Sequence, residues 1–112
     1  MSNVHVDDDM LEELRMILEG EFPGLIRQFI QDSVLRVQEM EQALKDQDGQ
    51  ALRRIAHSLK GASGNLGLPV LAQYCGDLEE AGRAGQLDNL AGKLLLLQQE
   101  RKMIAALLLA RI

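Results

Sequence analysis

The stretch Ala56-His57-Ser58-Leu59-Lys60-Gly61-Ala62-Ser63-Gly64-Asn65-Leu66-Gly67 holds the side chains best suited to chemistry. Read as helix, it places Leu52, Ile55, Leu59, Ala62 and Leu66 on one stripe at three-and-four spacing, a face that seeks burial. At ~100° per residue, His57 falls roughly 180° from the middle of that stripe and so faces solvent. Arg53, Arg54, Lys60, Gly61 and Gly64 lie on the same side within about two turns of it. A glycine costs an exposed helix about 1 kcal/mol relative to alanine, so two of them here indicate that something large must reach the ring. Neutral imidazole attacks activated phosphoryl groups, and its pKa near neutrality removes the need for a separate base. Such an attack requires in-line access and relief of charge on the phosphoryl in flight. Lys60 can bring its ammonium beside that group, while Gly61 and Gly64 leave the approach clear. Arg53 and Arg54 make a basic patch in an acidic chain, which predicts an acidic partner surface.

The punctuation of the chain predicts five helices to position this stretch. Asp7, Asp8 and Asp9 supply a cap and first-turn negative charge for a short helix to about Gly20, with Leu11, Leu14, Ile17 and Leu18 inward. Pro23 opens a second, running to about Gln47, whose apolar residues include Leu25, Ile26, Phe29, Ile30, Val37, Met40 and Leu44. Asp48 caps a third, which carries His57 and ends near Gly67. Pro69 opens a fourth, with Val70, Leu71, Tyr74, Cys75 and Leu78 inward, ending between Gly82 and Gly85. Asp88 caps a fifth that runs to the C-terminus. No stretch alternates with period two for long enough to make a strand. Long amphipathic helices joined by short turns predict an all-α fold: an antiparallel up-down-up-down four-helix bundle with a short extra N-terminal helix across one end.

Composition agrees and narrows the function classes. A chain of 112 residues, 46% of them apolar, is expected to form one domain over residues 1–112 with a core of its own. Leu, Ala, Ile and Met dominate that content, which suits helix packing. The net charge of −5 argues against nucleic acid and anionic membrane as partners. A lone cysteine, Cys75, fits a reducing compartment, and the acidic N-terminus lacks the basic region of a signal peptide, so a cytoplasmic location is expected. The leucine-rich stretches 94–97 and 103–109 are split by Gln98-Gln99-Glu100-Arg101-Lys102 and fall short of the ~20 apolar residues a membrane span requires. They read as a core helix whose last turns are apolar nearly all round.

His57-Ser58-Leu59-Lys60-Gly61, preceded by Ala56 and followed by Ser63 and Leu66-Gly67, resembles the motif of histidine-containing phosphotransfer (Hpt) domains in multistep two-component relays. Leu78-Glu79-Glu80-Ala81-Gly82-Arg83 looks like the family's continuation on the next helix. The resemblance implies a four-helix bundle and a phosphorelay intermediate. His57 would accept a phosphoryl group on Nε2 from the phosphoaspartate of a hybrid kinase's receiver domain and pass it to the aspartate of a response regulator. Lys60 would stabilise the phosphoryl and Gly61 give access; Arg53, Arg54 and Gly64 are placed at the partner surface by their charge and position on the same face, not by the resemblance. The protein would be a monomeric phosphocarrier rather than an enzyme, with no ATP site. The Mg²⁺ would sit on the receiver and no cofactor on this chain. A polar side chain from the following helix often approaches the histidine in relatives. Glu79 stands in position to do so, but a carboxylate repels phosphate, and it is left out of the predicted site.

Other residues carry plainer readings. His5 with Asp7, Asp8 and Asp9 has the look of a metal cluster, yet lies at a terminus expected to fray, where capping explains the aspartates. Cys75 is expected to be buried, Tyr74 half-buried, and Met10, Met16, Met40 and Met103 to fill gaps in the core. Ser63, near the apolar stripe, should bond a backbone carbonyl or pack inside. Two alternatives stand beside the relay: a helical protein that docks or sequesters partners without transfer, and the histidine dimerisation domain of a sensor kinase. The sequence after His57 lacks the acidic, proline-containing pattern of the latter.

Overall fold

Local chemistry sets where each helix starts and stops. The structure, a computed structural model describing residues 4–112, contains α1 (Asp8–Leu18), α2 (Phe22–Lys45), α3 (Gly49–Asn65), α4 (Pro69–Ala84) and α5 (Ala91–Leu109), with one 3₁₀ turn, Glu19–Glu21, between the first two. The Asp7 carboxylate accepts the Met10 N–H at 3.1 Å and the Asp48 carboxylate accepts that of Ala51 at 3.0 Å, so both predicted caps form. Gly67 and Gly85, at φ 74° and 70°, take the left-handed conformation that ends α3 and α4. The N-terminal boundary of α5 departs from expectation. Asp88 does not cap it; Asn89 turns the chain at φ 61°, and the helix starts after Leu90 with no side-chain cap.

Three-residue turns join α2 to α3 and α3 to α4, and a six-residue connection joins α4 to α5. Consecutive helices therefore run antiparallel, and α5 returns to pack on α2, closing an up-down-up-down bundle with α1 across one end. Among the described residues there is no strand. In this ring α3 and α5 stand diagonally opposite, and α3 packs most extensively on α4. Phe22, Ile26, Met40, Leu52, Leu59, Leu71, Leu78, Leu97, Ile104 and Leu108 are fully buried along the axis. Each stabilises the fold by roughly 1.5–3 kcal/mol through lost contact with water.

Several expected core residues lie outside. In α1, Leu11 is buried and Leu14 and Leu18 are half-buried, but Ile17 is 69% exposed. A three-turn helix lying across the end of a bundle touches it along a narrow line, and Ile17 falls beside that line. Met40 fills the core, whereas Met10, Met16 and Met103 are exposed. Leu95, Leu96, Leu107 and Leu109 leave α5 with apolar side chains on its outer face. Among the described residues no helix is long and apolar enough to cross a membrane.

The N-terminal segment, expected to fray, is held. Val6 is buried, the Asp7 N–H donates to the Gly67 carbonyl at 2.7 Å, and His5 Nδ1 meets the buried Glu100 carboxylate of α5 at 2.6 Å. Asp8 pairs with Arg111 at the far end of the chain. His5, Asp7 and Asp8 thus have structural partners, and among the described residues no group of metal-ligating side chains gathers.

Candidate functional site

His57 stands on the outer face of α3 with its side chain 68% exposed. Its anchor is the buried stripe beneath it: Leu52, Ala56, Leu59, Ser63 and Leu66, with Ile55 half-buried. That stripe is rotated slightly from the predicted one. Ala56 and Ser63 point inward and Ala62 is exposed, because the most extensive contact of α3 is with α4 and the small side chains of Ala56 and Ser63 suit that close packing.

The seam is set by two glycines. A Cβ on Gly82 would lie 2.6 Å from the Gly49 carbonyl oxygen and 2.9 Å from the Arg53 backbone nitrogen; one on Gly49 would lie 2.8 Å from the Gly82 oxygen. Backbone approaches backbone, and Glu79, one turn before Gly82, reaches the histidine. Its Oε2 lies 2.8 Å from His57 Nδ1, and its Oε1 lies 2.5 Å from Lys60 Nζ. The Lys60 stem crosses α4 over Gly76, where a methyl would sit 3.6 Å from its Cδ.

Glu79 is the residue sequence reasoning left out. Its signal was positional: it flanks the buried run Cys75, Leu78 and Gly82 and therefore faces the α3–α4 seam. The Lys60 ammonium holds its carboxyl below the ordinary glutamate range; burial opposes this, and the His57 ring adds to the lowering. An ionised carboxylate only accepts hydrogen bonds. In the neutral ring, Nδ1 must therefore carry the proton and Nε2 the lone pair. Lys60, expected to be able to bring its ammonium beside a phosphoryl on His57, rests that ammonium on Glu79 in the structure.

The remaining predicted residues surround the ring. Gly61 and Gly64 are exposed with nothing within 4 Å of a built Cβ, so the approach over that side of α3 is open. Arg53 and Arg54 are exposed on the preceding turn, with Arg53 Nη1 donating to Gln50 at 3.5 Å. On the α2 side, beyond Ser58, an open groove is lined by Leu14, Leu25, Phe29, Leu59, Ala62 and Leu66. Ser63 is buried, and its hydroxyl has no hydrogen-bond partner among the described residues. Of the two expected outcomes, the side chain packs inside without a bond to a backbone carbonyl.

Within the helical bundle the solvent-facing His57 is engaged at Nδ1 and has a lysine at hand, an arrangement suited to a carrier of transferable groups. The comparisons give the family. The Hpt domain model matches residues 24–108, and the chain belongs to the Hpt domain family. A phosphotransfer role in phosphorelays follows from that membership. The crystal structure of histidine-containing phosphotransfer protein B from Pseudomonas aeruginosa PAO1 is 37% identical in sequence and superposes with a TM-score of 0.93, covering 98% of this chain and 96% of that one. A search of curated proteins returned no match.

Proposed function

We propose that this protein is a phosphorelay shuttle in which His57 Nε2 accepts a phosphoryl group from a receiver-domain phosphoaspartate of a hybrid kinase and passes it to the aspartate of a response regulator. The observation that carries this is the pairing of an exposed ring with a carboxylate on its inner nitrogen, which leaves Nε2 as the nucleophile at the surface. In the forward step the Nε2–P bond forms while the bond from phosphorus to the aspartyl oxygen breaks, and the aspartate leaves as carboxylate. Lys60 swings from Glu79 toward the phosphoryl oxygens and offsets charge there. Gly61 gives the receiver clearance; Arg53, Arg54 and Gly64 border the docking surface, which continues into the apolar groove beyond Ser58. The Mg²⁺ of both steps belongs to the receiver, and the protein acts as a monomeric carrier without a cofactor of its own. A cytoplasmic location fits these partners.

The test is transfer from receiver domains charged by a small phosphodonor with Mg²⁺. Acid-labile, base-stable label is expected on the wild-type protein and not on His57→Gln. Gly61→Gln is expected to lower transfer by roughly tenfold or more through blocked approach. Label on neither protein would leave a docking protein without transfer, and normal transfer by Gly61→Gln would remove the role given to that glycine.

A further inference from the structure

Orienting the ring does not require a charged partner for Nδ1. An amide oxygen would accept the same hydrogen bond without repelling a phosphoryl dianion. What a carboxylate adds is affinity for the proton once Nε2 has been consumed. In the transfer proposed above the ring keeps its Nδ1–H, so the product is a phosphorylated imidazolium. When the phosphoryl leaves from that form, the electrons of the N–P bond return to Nε2 and the leaving group is neutral imidazole. If Nδ1 has lost its proton, the leaving group is imidazolate, a far stronger base and a poor one to expel.

Resting on the shuttle reading, we propose that Glu79 is a positioning residue that holds the Nδ1 proton on phosphorylated His57 and so keeps the phosphoryl group in its readily transferable form. The charges around the ring support this assignment. From α3, Arg53, Arg54 and Lys60 oppose a cationic ring; from α2, Asp32 and Arg36 lie farther off in the groove beyond Ser58; from α4, Glu80 and Arg83 are paired with each other. Only Glu79 places an anionic oxygen within hydrogen-bond distance of the ring, at 2.8 Å, among the described residues. In the resting protein Lys60 draws on the same carboxylate. A phosphoryl on Nε2 gives Lys60 a second anion, frees part of Glu79, and strengthens its hold on Nδ1–H at the moment the ring becomes cationic.

The experiment charges the full-length protein on His57 with phosphoramidate and compares wild type with Glu79→Gln. Nδ1 protonation is read by ¹⁵N-detected NMR, and loss of phosphohistidine by ³¹P NMR, from about pH 6 to about pH 10. In wild type the Nδ1 proton should persist at least about one pH unit higher than in the variant, which corresponds to roughly tenfold faster phosphohistidine decay at alkaline pH. The two decay rates should converge on the acid side, where the variant ring protonates unaided. Equal titration and equal decay in the two proteins would overturn the role of Glu79 while leaving the shuttle intact. Titration of wild-type Nδ1 at the value of free phosphohistidine would do the same without reference to any variant. No label on wild type, from phosphoramidate or from charged receivers, would remove the shuttle itself and this inference with it.

Discussion

At the scale of single residues, a buried thiol and a half-buried carboxylate make opposite demands on their surroundings. Cys75 is fully buried on α4, and burial pushes its thiol up to about 12, with Lys60 opposing and Glu79 adding to the effect. The native thiol should therefore resist alkylation by iodoacetamide at neutral pH and react only after unfolding, as mass spectrometry would show. Because the unfolded thiol ionises near its ordinary value of 9.0 while the folded one stays protonated to about 12, stability should fall as pH rises across that window. Glu79 works in the other direction. Its lowered carboxyl contributes stability above the ordinary glutamate value that is lost as pH falls. Lys60→Ala, which removes the largest cause, should move the Glu79 carboxyl titration back upward in a ¹³C NMR pH series. Ser63 is simpler: its buried hydroxyl lacks a partner among the described residues, so Ser63→Ala should stabilise the protein by about 1 kcal/mol, read as a raised Tm.

At the scale of elements, α3 and α4 show that identical residues serve opposite ends. Gly82→Ala drives a methyl into the backbone of Gly49 and Arg53, neither of which can swing aside, and should destabilise the protein by about 1–3 kcal/mol in chemical denaturation. Gly61→Ala meets nothing within 4 Å and should stabilise it by up to about 1 kcal/mol through helix propensity. The sequence distinguishes these two only in part. Gly61 was legible as an outward glycine because α3 has a clear stripe. Gly82 read as a helix-end signal, whereas the end falls at Gly85 and Gly82 lies inside the helix. Its task depends on the backbone of Gly49 and Arg53 on the preceding helix, which local pattern does not encode. The same cause hid the partner of His57. Spacing within α3 places the ring in solvent, but the carboxylate on its inner nitrogen comes from the neighbouring helix and is fixed by how closely the two backbones approach. The inward turn of Ser63 in place of Ala62 has this origin too, since hydropathy alone favours alanine inside.

At the scale of the whole molecule, helix number, order and antiparallel packing were legible because Asp7, Asp48, Pro69, Gly67 and Gly85 punctuate the chain by local backbone chemistry. The N-terminal strap was not, since His5 finds Glu100 across 95 residues of sequence. That contact matters for the fold as a unit. His5→Ala would leave the Glu100 carboxylate buried in α5 without the partner that meets it, at an expected loss of about 1–3 kcal/mol. A Tm below wild type for His5→Ala, with Glu100→Gln restoring part of the loss in the double variant, would establish the coupling.

α3 and α5 stand diagonally opposite, so the His57 ring lies on the side of the bundle away from α5. Under the proposed relay, donor and acceptor receivers must occupy that side one after the other, never together. The exchange is then a queue at one counter: double-reciprocal plots against the two receivers should run parallel, and an excess of either unphosphorylated receiver should slow the overall flow by occupying the position the other needs.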